Sequence, residues 1–542
     1  MKGITAPVPA VRNQAIVSLG LLLVGVIAAM EMGGWIAKED MRDVYLAIVG
    51  LGMLATVVAI LRNWRTGFYV FLVWLLFEDL IRKFLGNNMA IYFAKDVLAA
   101  ITYISLFVAI RAKKANTFRP KFLFPVIVFF WLGAIQVFNP NSPSTLYGIL
   151  GLKLYFYYVP LLFVGYALIR NQEDLRRFLL FNMLLAGVIC ALGVTQGIMG
   201  PTFLNPTQLA PEIELLGRLQ RTAPVSHQVI SVPTSTFVSA GRFGWYVVTA
   251  WILGLGAAGY LLLRATRGRK LVFFTIGLIA VASMLSGTRG TVVYTLSSSM
   301  VIGAGFIWGA PWRKRQVYRT MKAVRQALIV AGLALVIVLA LYPEAVGARW
   351  SFYSETLNPG SSAYEMGNRA WDYPIENLML AFSEPNWMLG YGIGTASLGV
   401  QYISSWLGEN PPQIGVENGF GTLIVEMGIL APILWIIWTS VLLRQSWTIV
   451  KKLRQTALFP VAFCIWWYIF LIAYPFTFAS LAPYQNFVCN AYFWLLIGVM
   501  FRLPVLARES ERPFLVMAGA RTGEVIPESG GFDPTCVESP VS

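Results

Sequence analysis

The chain has 542 residues, of which 57% are hydrophobic and only 13% are charged, and its mean hydropathy is +0.65. Soluble domains carry about 25% charged residues, so this composition excludes an ordinary soluble protein. The formal net charge of +16 indicates either an acidic partner such as nucleic acid or an uneven distribution of charge across a membrane.

Apolar runs of about 17–25 residues, long enough to cross a bilayer core, recur along the chain. In chain order we predict fourteen spans, near residues 14–30, 44–61, 66–84, 89–110, 122–138, 154–170, 178–199, 242–263, 271–287, 291–309, 326–342, 416–443, 456–474 and 486–502. The sequence therefore predicts an all-α polytopic membrane protein. Residues 1–502 form one transmembrane helical domain in this prediction, and residues 503–542 form a disordered cytoplasmic tail.

Lys and Arg residues cluster in alternate connections between the spans. With the N-terminus inside, the inner segments hold 30 of the 42 basic residues, whereas 18 of the 26 acidic residues lie elsewhere. Because inner loops of membrane proteins are basic, both termini are predicted to be cytoplasmic, in a bacterial inner membrane. The positive net charge then comes mostly from basic residues in the cytoplasmic segments. No basic patch with interleaved aromatic residues supports a nucleic-acid partner.

Metal, disulfide and nucleotide sites are not predicted. The four cysteines (190, 464, 489 and 536) and the single histidine, His227, have no metal-ligand spacing. No Walker or Rossmann glycine pattern occurs, so neither a bound nucleotide nor another cofactor is expected.

Acidic and basic residues fall inside two early spans. Glu78 and Asp79 stand one turn before Arg82 and Lys83, and a Lys–Asp pair at 95–96 lies in the fourth span. Charges at such depth are costly unless they are paired. We expect ion pairs within a helix and between helices that fix the bundle, rather than contacts with substrate.

Two outer connections are long, at 200–241 and 343–415, and loops of this length are usually functional or disordered. Arginines recur in and beside them: Arg218, Arg221, Arg242, Arg349 and Arg369. Around Arg369, five apolar residues at helical spacing predict an amphipathic helix on the membrane face; they are Trp371, Ile375, Leu378, Met379 and Phe382. Such a helix could gate a substrate or simply pack on the bundle.

The segment SGTRG, 286–290, leaves no room for a real loop between two predicted spans. Arg289 is therefore expected on a very short reversal at the outer membrane boundary. There it could reach lipid headgroups, or it could present a cation to an anionic lipid-linked substrate, with glycines leaving space around the guanidinium.

The segment VENGFGTLIVEMG, 416–428, begins the twelfth span with a carboxylate, Glu417. Gly421 and Gly428 share a helical face with this acid, which lets another helix or a ligand approach the backbone. Glu417 could be a general base, or an acid that merely stabilises the helix N-terminus. Glu426 lies on the opposite face, where we expect it to be protonated or paired with a neighbouring helix.

One carboxylate and several arginines at an outer membrane mouth suit one type of reaction. A base removes a proton from a sugar hydroxyl, while guanidinium groups, which match phosphate oxygens bidentately, hold a departing diphosphate. Such a transfer requires no metal, because diphosphate is already a good leaving group.

At these residues the chain resembles the O-antigen ligase and O-antigen polymerase superfamily, which are membrane glycosyltransferases of the GT-C class. The family has a histidine, then Asn or a similar residue and, after nine intervening positions, a glycine. Glu417, Asn418 and Gly428 occupy those positions here. Arg289 matches an arginine in a Ser/Thr–Arg–Gly turn, and Arg242 matches, less closely, an arginine that precedes the helix after the first long loop.

The large loop before the His/Asn motif of the family corresponds to 343–415, with the glycine run 390–394 near its end. The segment RKFLGNNMAIYFAKDVL also looks like a subset of these proteins from exopolysaccharide clusters. The main departure is Glu417 in place of the family's histidine. Since a carboxylate is ordinarily the weaker base, Glu417 either acts late in the transition state or orients the acceptor.

The resemblance implies a GT-C-like fold and a metal-independent transferase. Its donor would be a glycan on a polyprenyl diphosphate, its acceptor a glycan or lipid-linked glycan, and its site would face the periplasm. Membrane lipid and other polysaccharide-assembly proteins are further expected partners. The expected roles are catalytic for Glu417, Arg289 and Arg242, and substrate-binding for Arg218, Arg221, Arg349, Arg369 and Asn418.

Within this interpretation the sequence does not separate a polymerase from a ligase. Two alternatives stay open. One is a flippase or transporter of lipid-linked glycan or polysaccharide, which would place ionisable residues near the bilayer midplane. The other is a non-catalytic member of the family, in which the glutamate has replaced a lost histidine.

Overall fold

A computed structural model describes residues 52, 55–86, 89–206, 219–264, 266–311, 342–397, 400–408, 416–480 and 483–522, together with isolated positions between 318 and 340. Two short strands, β1 (Gln220–Thr222) and β2 (Val229–Ser231), form an antiparallel hairpin in which Arg221 pairs with Ile230. Nearly all other regular structure in these ranges is helical.

The principal helices, numbered in chain order, are α1 (Trp64–Phe84), α2 (Met89–Arg111), α3 (Leu123–Gln136), α4 (Thr145–Phe156), α5 (Leu161–Leu168), α6 (Gln172–Met199), α7 (Ala240–Arg264), α8 (Arg269–Leu285), α9 (Arg289–Gly309), α10 (Pro343–Leu357), α11 (Tyr373–Ser383), α12 (Val400–Leu407), α13 (Gly419–Met427), α14 (Leu430–Lys452), α15 (Phe459–Leu471) and α16 (Phe487–Thr522). A π-helical turn, Asn368–Asp372, leads into α11, and a second, Ile472–Phe476, follows α15.

Eight helical stretches in the described ranges are long and apolar enough to cross a membrane, which confirms an all-α, membrane-embedded protein. They are Ala90–Arg111, Thr145–Leu168, Gln172–Met199, Ala240–Arg264, Arg289–Gly309, Leu430–Lys452, Phe459–Ala479 and Phe487–Glu509. Fourteen spans and a GT-C fold stay predictions. The predicted span at 14–30, most of that at 326–342 and much of that at 44–61 lie outside the described residues.

The predicted span 416–443 is two helices rather than one. The chain breaks at Gly428, where φ is +77° and a Cβ atom would lie 2.3 Å from the carbonyl oxygen of Met388. Only glycine tolerates both the left-handed backbone and this close approach. The nine-residue α13 therefore ends there, and α14 alone is long enough to cross a bilayer.

The core is held partly by backbone contact between α5 and α16. A Cβ at Gly165 would lie 2.2 Å from the carbonyl oxygen of Leu495, and one at Gly498 would lie 2.1 Å from that of Leu162. Small residues permit such contact between membrane helices, where dispersion forces replace the hydrophobic effect.

The helix α16 extends past residue 503, where the disordered tail is predicted to begin, as far as Thr522. Leu503 and Leu506 are buried, and Arg502 Nε donates to the carbonyl oxygen of Ile169 at 2.8 Å. These contacts dock the helix on the bundle. Residues 523–542 lie outside the described part of the chain.

The expected ion pairs in the early spans are confirmed. Lys95 Nζ lies 2.8 Å from Glu78 Oε1, and Arg82 Nη1 lies 3.1 Å from Asp79 Oδ1. Lys153 of α4 pairs with the carboxylate of Asp96 at 2.5 Å. We call the residues of this group the buried ion cluster; they are Glu78, Asp79, Arg82, Lys95, Asp96, Lys153 and, from α7, Arg242.

Candidate functional site

A cavity of about 740 Å³ lies at one end of the helix bundle, where α7, α9 and α11 begin and where the chain leaves α15. This volume falls within the range of about 300–1,000 Å³ that is usual for small-molecule sites. Its lining includes five charged residues: Arg221, Arg289, Glu365, Arg369 and Glu417. The structure therefore brings the predicted acid and three of the predicted arginines to one hollow.

The β-hairpin carries Arg221 to the cavity, and α10 holds the hairpin in place. Glu355 of α10 accepts hydrogen bonds from the backbone N–H groups of Val225 and Ser226 at the hairpin tip. On the inner side of the hairpin, Ile230 packs with Phe352 of α10. Burial and, after it, the nearby guanidinium of Arg289 lower the pKa of Arg221.

Arg289 is the first residue of α9 and follows the short reversal that the sequence predicts. Thr288 precedes it, with its hydroxyl 2.6 Å from that of Thr291 and 2.9 Å from that of Ser286. The Arg289 guanidinium lies over the ring of Phe352, 5.5 Å from its centroid. Gly290 also lines the cavity, and a Cβ atom there would meet nothing within 4 Å, so this glycine does leave space beside the cation.

Glu365 is a site residue that the sequence analysis missed. Its Oε2 atom lies 2.5 Å from Arg289 Nη1 and 3.9 Å from Arg369 Nε. The only signal in the sequence was its position four residues before Arg369, a spacing that brings opposite charges together on a helix. Nothing in the sequence linked Glu365 to Arg289, which is 76 residues away.

Glu417 lies at the cavity with its side chain exposed, directly before the N-cap of α13. Tyr373, at the start of α11, donates its hydroxyl hydrogen to Glu417 Oε2 at 2.5 Å. This hydrogen bond, with burial as a smaller cause, raises the pKa of Tyr373, so that the phenol stays protonated at neutral pH. Tyr373 was also missed, since its link to Glu417 exists only in three dimensions.

Asn418, predicted to bind substrate, is a fully buried cap of α13. Its Oδ1 accepts from the backbone N–H of Gly421 at 3.0 Å, and its Nδ2 donates to the carbonyl oxygens of Pro374 and Phe478. Every polar atom of this side chain is therefore used within the protein, and the residue fastens α13 to its neighbours.

The glycine beneath the acid serves protein packing. A Cβ at Gly421 would lie 2.5 Å from Val416 Cγ1 and 3.3 Å from the Cβ of Ala381 in α11. The sequence allowed either a ligand or another helix to approach the backbone at this glycine. In the structure another helix, α11, approaches it. Glu426, deeper in α13, accepts a hydrogen bond from the hydroxyl of Tyr155 in α4 at 2.6 Å, which confirms its expected pairing with a neighbouring helix.

The predicted amphipathic segment is helical, as the π turn followed by α11, and it packs on α13. The residues of α11 that are buried are Pro374, Asn377 and Ala381. Of the five apolar residues that suggested the helix, Trp371 and Met379 are exposed, while Ile375, Leu378 and Phe382 are half-buried. The inner face of α11 therefore packs on the helix bundle, which is one of the two alternatives that the sequence left open.

Two other predicted arginines that the structure describes, Arg242 and Arg349, do not line the cavity. Arg242 Nη1 binds Asp79 Oδ2 at 2.9 Å in the buried ion cluster. Arg349 is buried in α10, where its Nη2 donates to the carbonyl oxygens of Gly197 and Ser231 and ties the hairpin to the bundle. Both meet internal acceptors, which is why they lie away from the hollow. Arg218 lies outside the described residues.

The cavity wall also contains aromatic rings. Trp245 of α7 and Tyr294 of α9 both line it, and both contact Phe476, with ring centroids 4.0 and 4.4 Å away. The hollow thus combines a charged part with a rigid apolar part. Within the described ranges, no group of three His, Cys, Asp or Glu residues is placed to hold a metal ion.

The chain matches no protein-family model and no curated protein. The resemblance to the O-antigen ligase and polymerase superfamily therefore rests on the motifs around Glu417 and Arg289, and the roles of these residues stay predictions.

Proposed function

We propose that this protein is a membrane glycosyltransferase that moves a glycan from a polyprenyl-diphosphate carrier to an acceptor glycan, as an exopolysaccharide or O-antigen polymerase or ligase. One observation carries the proposal. An acid, Glu417, and three guanidinium groups, those of Arg221, Arg289 and Arg369, line a single cavity of substrate size.

In the proposed reaction, Glu417 accepts the proton of an acceptor hydroxyl as that oxygen bonds to the anomeric carbon of the donor. The bond between this carbon and the diphosphate oxygen breaks, and the electron pair leaves with the diphosphate. Arg289, helped by Arg221 and Arg369, stabilises the negative charge on the departing group. Tyr373, by donating to one oxygen of Glu417, orients the other toward the acceptor.

The shape and chemistry of the wall support a sugar substrate. Trp245 and Tyr294 offer flat apolar surfaces on which the C–H face of a sugar ring can pack, beside the charged groups that a diphosphate requires. A wall with both aromatic rings and guanidinium groups suits a donor in which a sugar ring is joined to a diphosphate.

The distribution of basic residues supports an exterior site. The helix ends opposite the cavity carry Arg264, Arg269, Lys451 and Lys452. By the positive-inside rule that end faces the cytoplasm, so the cavity would face the periplasm of a bacterial inner membrane. Lipid-linked glycans assembled inside would reach it after crossing the membrane.

The test is transfer by the purified protein in proteoliposomes. The donor is the lipid-linked sugar that accumulates when the gene is deleted; short carrier-bound repeats would indicate a polymerase and long chains a ligase. Arg289→Ala is expected to lower the product about 10²–10³-fold through loss of a charge-stabilising donor, and Glu417→Gln about 10²–10⁴-fold through loss of the base.

The matched control is Glu376→Gln, which removes an exposed carboxylate of α11 that does not line the cavity. It should transfer at the wild-type rate. Wild-type product from both Arg289→Ala and Glu417→Gln would rule out the assignment and favour a non-catalytic protein. Movement of labelled lipid-linked glycan across the vesicle membrane, without transfer, would favour the flippase alternative.

A further inference from the structure

Glu365 forms an ion pair with Arg289, the guanidinium that binds the diphosphate in the proposed reaction. Its Oε2 atom is 2.5 Å from Arg289 Nη1, close enough for a charge-assisted hydrogen bond. A phosphate oxygen that approached the same guanidinium nitrogen would meet this carboxylate. The two acids of the cavity therefore differ, because Glu417 binds a phenol whereas Glu365 binds the arginine itself.

The pair is accessible enough to exchange partners. The side chain of Arg289 is 20% exposed and that of Glu365 is 41% exposed, so water reaches both groups. Exposed ion pairs contribute little free energy, since the two charges regain hydration when they separate. The pair of Lys95 and Glu78, at 1% and 0% exposure, has no such freedom.

A second arginine, Arg369, lies close enough to pair with the Glu365 carboxylate after its displacement from Arg289. Arg369 Nε lies 3.9 Å from the same Oε2 atom, one helical turn further along the chain. This arginine lies in the π turn Asn368–Asp372, a widened form of helix that is frequent at functional sites. Glu365 can therefore leave Arg289 without losing a cationic neighbour.

The charge balance also favours an incoming anion. The cavity lining holds three guanidinium groups and two carboxylates. Among the described residues Arg221 forms no ion pair, and burial, followed by the nearby positive charge of Arg289, lowers its pKa. A phosphate group between Arg221 and Arg289 would relieve this repulsion, whereas the Glu365 carboxylate pairs with Arg289 and Arg369.

We propose that Glu365 is an exchangeable internal counter-ion, which holds Arg289 in the empty cavity and is displaced onto Arg369 by the diphosphate of the substrate. This inference rests on the proposed function for the identity of the anion. Glu365 is a positioning residue here: it acts through Arg289, and it weakens the binding of any anion that must displace it.

The experiment measures the affinity of the full-length protein in detergent for inorganic diphosphate, by titration calorimetry. Glu365→Gln removes the competing charge and is expected to bind diphosphate at least about fivefold more tightly than the wild type, the equivalent of an exposed pair. Glu365→Asp retains the charge and should bind more like the wild type. Arg289→Ala should bind more weakly, and Glu376→Gln should match the wild type.

Unchanged or weaker binding by Glu365→Gln, with an unchanged melting temperature, would overturn the inference, and so would the absence of diphosphate binding by every variant. The transfer assay separates this failure from that of the proposed function. Transfer by the wild type with no gain of affinity in Glu365→Gln rejects the counter-ion alone. Tighter binding by Glu365→Gln with no transfer by the wild type rejects the transferase and retains the exchange.

Discussion

The molecule holds two groups of charged side chains that differ in their access to water. In the buried ion cluster, Glu78, Asp79 and Lys95 are at most 1% exposed, and their partners come from α1, α2 and α7. In the cavity, the pair of Arg289 and Glu365 is 20% and 41% exposed. Similar residue types thus form fixed pairs in one place and exchangeable pairs in the other.

The difference follows from the cost of removing a charge from water. A buried ion cannot be left alone, so Glu78, Asp79 and Lys95 require their partners, and the cluster links α1, α2, α4 and α7. A pair that water reaches costs little to separate, so its members remain available to a ligand. Access to water, more than residue type, indicates which charges can bind a substrate.

The largest effect on stability is expected from Lys95→Ala. This change leaves Glu78 without its 2.8 Å partner in a buried place, which typically costs about 3–5 kcal/mol. Thermal unfolding in detergent measures the loss. The control is Lys270→Ala, which removes an exposed lysine at the start of α8. Equal melting temperatures for the two variants would contradict the structural role of the cluster.

A smaller effect should separate the two arginines that the sequence treats alike. Arg242→Ala removes one of two cations that face Asp79 and should lower the free energy of unfolding by about 2 kcal/mol, since Arg82 remains. Arg289→Ala opens a pair whose carboxylate is 41% exposed, against 1% for Asp79, and should cost at most about 1 kcal/mol. Melting temperatures measured side by side test this order. The reverse order would mean that the cavity charges hold the fold.

Asn418→Ala should lower the free energy of unfolding by about 1–2 kcal/mol, because it removes the N-cap of α13 and two further hydrogen bonds. Asn418→Ser retains an oxygen that can accept from Gly421 and should lose less. Stability is again read from thermal unfolding. A variant that unfolds like the wild type, yet transfers no glycan, would favour the substrate-binding role that the sequence suggested.

The smallest effect is expected from Tyr373→Phe. The lost hydrogen bond to Glu417 should slow transfer by about 1 kcal/mol, roughly fivefold, without loss of stability. Because the pKa of Tyr373 is raised, the phenol donates throughout the neutral range, so the ratio of the wild-type and variant rates should stay constant there. A ratio that changes across neutral pH would indicate that another group is affected.

The sequence predicted the class of fold and part of the site for identifiable reasons. Hydropathy marks the helices, and the turn SGTRG placed Arg289 correctly at the start of α9 because its length left no alternative. The motif at Glu417 likewise predicted an acid before a helix. These signals are local, and local signals can be read without coordinates.

The remaining features depend on contacts between distant segments. Arg242 meets Asp79 across 163 residues, and Tyr373 meets Glu417 across 44. Patterns of charge and hydropathy do not show which acid a given arginine will meet. For this reason Arg242 was predicted in the site, while Glu365 was missed.

The break at Gly428 separates two tasks that a continuous span would have combined. The 23 residues of α14 measure roughly 35 Å, enough to cross the apolar layer without help from α13. The short helix α13 is therefore not needed to cross the membrane and can position Glu417, which precedes its N-terminus. Gly428 at its C-terminus connects it to α14. Mutations at this glycine would shift the acid relative to the arginines while the number of membrane crossings stayed the same.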